Sequence, residues 1–256
     1  MEGIILKDDA RYCHTEYYLR DRGCIFHKPD TPPENLDFII FPFKEEIDKT
    51  AFGDKYFASL KNKTRIFSGV RNAYAAEKCG EYKLEYYAMM EDRGVQIKNA
   101  VPTSEGVIAY LISNSLCTAA NSRVLVIGYG VCGRDLSLRL QSLGARVYAL
   151  VRNREKECAA YADSITPVYQ EQLNEQRFDV IINTVPAPVL TDETLERAGE
   201  ALLIDIASKP YGFNMERAKK LNEKSALLPG IPGKYAVRTA GEILGEYILY
   251  VLSGRN

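Results

Sequence analysis

Arg123-Val124-Leu125-Val126-Ile127-Gly128-Tyr129-Gly130-Val131-Cys132-Gly133 is the stretch whose reading settles the fold of this chain. Its first five residues are a short apolar, β-branched run, and three glycines follow within six positions. Leu136, Leu138, Leu140 and Leu143 then recur at spacings that suit a buried helix face. Strand, tight turn and helix are predicted in that order. Gly144 ends the helix and Arg146-Val147-Tyr148-Ala149-Leu150-Val151 supplies a second strand, which makes a βαβ unit of about 30 residues. Each glycine has a physical task in such a unit. Gly128 permits the turn, Gly130 lets backbone approach a pyrophosphate, and Gly133 lets the helix pack closely on the strand, with the anion at the helix N-terminus. Glycines at this spacing are weak evidence alone and much stronger between a strand and a helix. The expected ligand is a dinucleotide, bound along Gly128, Tyr129, Gly130, Val131, Cys132 and Gly133.

An acidic residue that binds a ribose 2′-hydroxyl is expected about 20 residues beyond the glycines. After Asp135 the next acid is Glu155, and the second strand ends instead in Arg152-Asn153-Arg154. These cations suit a 2′-phosphate, so NADP is expected ahead of NAD, which stays possible. The plainer alternative is a solvated strand end.

At 256 residues the chain suits two domains of ordinary size better than one large domain. Its 33 Lys+Arg against 34 Asp+Glu advertise neither a nucleic-acid surface nor an acidic tail, so a small-molecule partner is expected. The six cysteines are scattered without a C-x-x-C, and residues following Met1 form no basic and apolar leader. Reduced thiols in a cytoplasmic protein are the expectation. No run reaches the ~18 apolar residues of a membrane span, and the best candidate is broken by Glu242 and Glu246.

Taken in order, Gly3-Ile4-Ile5-Leu6, the 36–41 run and Thr64-Arg65-Ile66-Phe67 read as strands, with a helix after Asp8-Asp9, an apolar piece at Cys24-Ile25-Phe26 and a loop at Thr31-Pro32-Pro33. Val101-Pro102-Thr103-Ser104-Glu105 reads as a helix start, its hydroxyls capping and its acid complementing the dipole, and this helix is expected over 102–118 as an interdomain link. Phe178 to Asn183 and Ala201 to Ile206 are nearly continuous apolar runs, as buried parallel strands should be. Ligands lie beyond the carboxyl ends of such strands, so Thr184-Val185-Pro186 and Ala207-Ser208-Lys209-Pro210 should face the cofactor. A closing helix is expected over 239–253, with Ile243, Leu244, Tyr247 and Ile248 inward. The expected class is α/β with two doubly wound domains: a smaller flavodoxin-like substrate domain over 1–101, against which the closing helix can pack, and a Rossmann dinucleotide-binding domain over 102–256.

Several of these segments together resemble the dipicolinate synthase A-chain family. The resemblance rests on Phe67-Ser68-Gly69-Val70 with Asn72-Ala73-Tyr74, Pro102-Thr103-Ser104-Glu105-Gly106, the glycine turn, Ile182-Asn183-Thr184-Val185-Pro186, Ile204-Asp205-Ile206-Ala207-Ser208-Lys209-Pro210, and Pro229-Gly230-Ile231-Pro232-Gly233-Lys234 followed by Thr239-Ala240-Gly241. It implies a sporulation oxidoreductase, built like the two-domain 2-hydroxy-acid and alanine dehydrogenases, that converts dihydrodipicolinate to pyridine-2,6-dicarboxylate with NADP or NAD. It also implies a flavoprotein-like second subunit, and a homo-oligomer is expected. The chain departs from the family's Gly-Gly-Asp after the first strand, where Lys7-Asp8-Asp9-Ala10-Arg11 stands, and has Tyr211-Gly212 after Pro210 where Gly-Gly is common.

Oxidising a dihydropyridine needs a hydride acceptor, a route for a proton, and cations or hydroxyls that hold two carboxylates. Candidates are Ser68, Arg71, Asn72, Thr103, Glu105, Lys209, Lys234 and Thr239. Arg71 can clamp a carboxylate bidentately, and Lys209 can bind the second or act as acid. The plainer readings are an ion-paired Arg71, a solvated Lys209, a Glu105 that only opens its helix, and a Cys132 that packs below the phosphate although a helix N-terminus can lower a thiol pKa. His14 and His27 both lie far from the glycine turn in sequence, which counts against a lactate-type acid/base, and their spacing from Cys13 and Cys24 fits no structural zinc pattern. No metal is expected. The competing readings are an alanine-type amino-acid dehydrogenase and a non-catalytic dinucleotide-binding subunit.

Overall fold

The computed structural model describes residues 1–29, 35–43, 46–61 and 63–254; the Thr31-Pro32-Pro33 loop lies outside these. The chain forms two compact units, one of Met1–Asn99 with Ala236–Asn256, the other of Ala100–Tyr235.

The first unit begins β1 (Glu2–Ile5), α1 (Arg11–Asp21), β2 (Ile25–Phe26), β3 (Phe38–Ile40), α2 (Asp54–Ser59), β4 (Arg65–Ser68), α3 (Ala73–Glu81) and β5 (Glu85–Ala88). The strands make one parallel sheet in the order β2-β1-β3-β4-β5, the flavodoxin-like arrangement. Alternate residues feed two cores: Ile5, Phe38 and Ile40 join one cluster, and Ile4, Ile39 and Phe41 the other. Both sheet faces are covered, which is why these strands read as continuous apolar runs rather than alternating ones.

α4 (Arg93–Asn114) carries the chain from the first unit into the second. It begins nine residues before the expected 102–118 span and ends at Asn114, four residues short of it. Asp92 opens the helix instead, its Oδ1 accepting from the Val95 amide at 2.9 Å and its carbonyl from Gln96. Pro102 sits in the helix interior, where it removes one backbone donor without ending the helix. Thr103, Ser104 and Glu105 are thus mid-helix residues, not caps.

The second unit continues with β6 (Arg123–Ile127), α5 (Val131–Ser142), β7 (Arg146–Leu150), α6 (Arg154–Ala162), β8 (Thr166–Val168), β9 (Val180–Asn183), α7 (Asp192–Ala198), β10 (Leu202–Asp205), α8 (Met215–Leu221), β11 (Ala226–Leu227) and α9 (Pro232–Tyr235). Its six-stranded parallel sheet runs β11-β10-β9-β6-β7-β8, which is the Rossmann order. Val124 and Val126 point into one core and Leu125 and Ile127 into the other. The order reverses between β6 and β9, so the ligand crevice belongs at the carboxyl ends of these two strands.

α10 (Val237–Leu252) returns to the first unit. The sequence reading counted this helix with the second domain while allowing it to pack on the first; Ile243, Leu244, Ile248 and Val251 share a core with Tyr12 and Phe38. Gly241 lets α10 meet α1: a Cβ there would strike the Arg11 carbonyl, His14 Cβ at 2.7 Å and the Thr15 amide at 3.0 Å. The Thr15 hydroxyl donates to the Gly241 carbonyl at 2.9 Å across this contact. Gly241→Ala should therefore lose more by overpacking against backbone, about 1–3 kcal/mol, than the ~1 kcal/mol it gains in helix propensity. Gly80, in α3, has nothing within 4 Å of an added Cβ, and Gly80→Ala should stabilise by about 0.5 kcal/mol. Urea midpoints moving down for the first and up for the second are expected; a rise for both would refute the close-packing account. Among the described residues no helix is long and apolar enough to cross a membrane, and no cluster of His, Cys, Asp and Glu is placed to hold a metal ion.

Candidate functional site

The three glycines of the turn occupy three different environments. Gly128 has φ +92°, the left-handed region that L side chains rarely adopt, and a Cβ on it would meet Val185 and, at 3.0 Å, the Thr184 hydroxyl. On Gly133 a Cβ would drive into the Gly128 carbonyl. Gly130, which precedes the first turn of α5, is bordered by open space, with no atom within 4 Å of an added Cβ. A bare backbone facing an open cradle at the head of a 12-residue helix fits a pyrophosphate, whose charge the helix N-terminus favours.

The turn is braced from behind. Tyr129 is buried, and its hydroxyl donates to Asp163 Oδ2 at 2.7 Å, just beyond the end of α6. Arg134 forks onto the same carboxylate at 2.6 and 2.8 Å and holds it below the usual carboxylate range. Burial, and then Asp163 itself, pushes the Tyr129 phenol well above its ordinary value. The Tyr129 side chain therefore locks the turn. Cys132 is half-buried, and burial followed by the Asp135 charge raises its thiol, the opposite of the lowering that a helix N-terminus can produce. Both it and its neighbour Val131 are half-buried, so the environment favours the neutral thiol.

At the end of β9 the Thr184 hydroxyl donates to the Ile127 carbonyl at 2.8 Å, tying the two strands at the reversal point and filling the space behind Gly128 and Gly133. Val185 has its amide and carbonyl satisfied by the Asn183 side chain, while Pro186 is exposed. Ala207 is buried and gives its amide to Asp205 at 2.9 Å, which leaves Lys209 as the exposed cation of that loop. Following β7, Arg152 is exposed and makes no hydrogen bond or ion pair among the described residues. Asn153 is the cap of α6, its Oδ1 accepting from the Lys156 amide at 3.0 Å, and exposed Arg154 is the first helical residue.

The candidates near β4 are more committed than the sequence suggested. Ser68 is fully buried, donating to the Val70 carbonyl at 2.7 Å and bonding the Tyr86 hydroxyl at 2.5 Å. Asn72 caps α3 by accepting from the Ala75 amide at 3.0 Å. Arg71 forks onto Glu91 at 2.8 and 2.7 Å, the ion-paired alternative; this guanidinium beside Glu91 holds the carboxyl below its ordinary range. On α4, Thr103 is buried and Glu105 is exposed with Arg139 Nη1 at 3.8 Å. Lys234 on α9 and Thr239 in the first turn of α10 are exposed. Absent from the sequence reading are the Tyr129–Asp163 lock and a buried Asn183–Asp205 pair. The latter left a legible signal, a polar residue ending each of two wholly apolar strands.

Comparison with known proteins agrees with this geometry. Residues 123–233 match the family described as the NAD binding domain of 6-phosphogluconate dehydrogenase. Over 238 residues the chain is 31% identical to the dipicolinate synthase A chain of Bacillus subtilis (strain 168), an alignment covering 88% of this chain and 80% of that protein. The crystal structure of the dipicolinate synthase A chain from Bacillus subtilis superposes with a TM-score of 0.88 at 25% identity, over 100% of this chain and 98% of that one. A D-lactate dehydrogenase from Treponema pallidum superposes with a TM-score of 0.66 over 99% and 97% of the two chains, and at 12% identity it shows the fold alone. The second unit is a nicotinamide-dinucleotide-binding domain of the dehydrogenase kind, and the chain belongs to the dipicolinate synthase A-chain family.

Proposed function

We propose that this oxidoreductase converts dihydrodipicolinate to pyridine-2,6-dicarboxylate with NADP during sporulation, together with a flavoprotein-like second subunit. The observation that carries the reading is the open cradle at Gly130 in a chain of this family. The balance is simple: the dihydropyridine loses a hydride and a proton, and aromaticity is gained. A bound nicotinamide supplies the hydride acceptor. What the chain supplies is placement and charge. Gly128, Gly130, Val131, Cys132 and Gly133 present backbone to the pyrophosphate, and Thr184, Val185 and Pro186 border the crevice at the strand reversal. Lys209 and Lys234, exposed and without side-chain partners among the described residues, hold the substrate carboxylates, and Lys209 stabilises charge developing on the ring. Thr103, Glu105 and Thr239 are weaker candidates, and Arg71 could serve only by leaving Glu91. Ser68 and Asn72 shape the turn after β4.

The test is a spectroscopic assay of pyridine-dicarboxylate formation from freshly generated dihydrodipicolinate, with NADP or NAD and with or without the second subunit. Product formed with NADP supports the reading. Ammonia-dependent NADH oxidation by a 2-keto acid would replace it with an alanine-type dehydrogenase, and tight cofactor binding without turnover in the complex would make the chain a non-catalytic subunit.

Cofactor choice has its own check. Removing a charged contact to phosphate costs about 1.5–3 kcal/mol, so Arg152→Ala should weaken NADP roughly ten-fold or more and leave NAD nearly unchanged. Arg154→Ala should act in the same direction more weakly. Equal losses for both cofactors would show that Arg152 does not read a 2′-phosphate.

A further inference from the structure

Asn183 ends β9 and Asp205 ends β10, and the two stand opposite one another in the sheet register. Both are fully buried. Asp205 Oδ1 accepts from Asn183 Nδ2 at 2.9 Å and from the Ala207 amide at 2.9 Å, and Oδ2 accepts from the Gly212 amide at 2.7 Å. The segment 206–212 thus leaves from one carboxylate and returns to it, with Lys209 between the two anchored amides. Asn183 closes the neighbouring loop in the same way, donating to the Val185 carbonyl at 2.9 Å and accepting from the Val185 amide at 3.1 Å. Gly212 joins the two loops, its carbonyl accepting from the Val189 and Leu190 amides at 2.8 and 3.0 Å. A Cβ on Gly212 would overlap the Asn183 amide.

A carboxylate held by three N–H donors, with no cation paired to it among the described residues, is costly to bury, and an apolar strand end would suit the core as well. What an apolar end cannot do is pin two amides five residues apart. We propose that Asp205, oriented by Asn183, is a positioning residue that fixes the loop carrying Lys209, and so sets where that cation meets the substrate. This rests on the role of Lys209 proposed above.

Asp205→Asn is the sharpest probe, because its amide nitrogen must turn an N–H toward an N–H donor, breaking at least one anchor at unchanged size. In the complete protein with its second subunit, kcat/KM for dihydrodipicolinate should fall about 30-fold, while the dissociation constant of NADPH, read by its fluorescence, should stay within about three-fold. Lys209→Met should then cost much less in the Asp205→Asn background than in the wild type, since two residues acting as one unit are not additive. Full additivity would overturn the proposal. Should Asp205→Asn fail to fold, Asn183→Ala, which removes one donor to Asp205, enters the same cycle with the same two outcomes. If the wild-type protein forms no pyridine dicarboxylate, the proposed reaction falls and amide hydrogen exchange decides the positioning: Asp205→Asn should speed exchange over 206–212 by about ten-fold and leave α5 unchanged. Unaltered exchange in that segment would overturn it.

Discussion

Gly130→Glu is expected to abolish dinucleotide binding while leaving the protein folded. Gly130 adopts φ −86° and ψ −160°, an extended conformation open to any residue, and nothing lies within 4 Å of an added Cβ. The fold therefore tolerates a side chain here, unlike at Gly128 or Gly133, where one would strike Val185 or the Gly128 backbone. The ligand does not. A glutamate would fill the cradle and set a carboxylate against a pyrophosphate, removing charge-assisted contacts worth about 1.5–3 kcal/mol each. Two such contacts correspond to roughly a 10³-fold rise in dissociation constant. Titration with NADPH fluorescence measures it, and an unchanged circular dichroism spectrum and melting temperature show that the fold survived. Undiminished binding would remove the site from the glycine turn.

Lys209→Met should lower kcat/KM by ~10²-fold or more, about 2.7 kcal/mol of transition-state stabilisation, with NADP affinity kept within a factor of about three. β10 is buried along its length, so residues after Asp205 emerge at the end of the sheet where ligands of such folds lie. Ala207 stays in the core and Lys209 reaches solvent. Its ammonium is engaged by no side chain among the described residues, in contrast to Arg71, whose fork is taken by Glu91. A cation free to meet a dicarboxylate contributes most if it stabilises charge that develops during hydride loss, and it then affects turnover more than binding. Near-normal turnover of the mutant would return Lys209 to a solvated loop lysine and move the role to Lys234.

The βαβ unit was legible because its signals are local: an apolar run, glycines at fixed spacing and a leucine-rich helix each dictate backbone geometry within a few residues. The same holds for β1, β3, β4, β9 and β10, whose side chains face core on both sheet faces. β5, β8 and β11 were missed, since Glu85–Ala88, Thr166–Val168 and Ala226–Leu227 are short edge strands with partly exposed residues, formed by pairing with a neighbour rather than by their own pattern. Pro102 misplaced the start of α4 because a proline suits a first turn, and only the cap at Asp92 and the surrounding packing show that the helix had already begun.

For the site, the sequence by itself determined the glycine turn, the missing acid after β7 and the cations that stand there, all of them statements about residue type at a position along the chain. Which polar groups remain available to a ligand was decided only by tertiary structure. Ser68, Asn72 and Tyr129 are engaged by Tyr86, the head of α3 and Asp163, and Asp205 gathers donors from Asn183, Ala207 and Gly212. Partners such as Tyr86 and Asp163 stand 18 and 34 residues away along the chain, so a hydroxyl or carboxylate that reads as free in sequence is committed once the strands align and water is excluded.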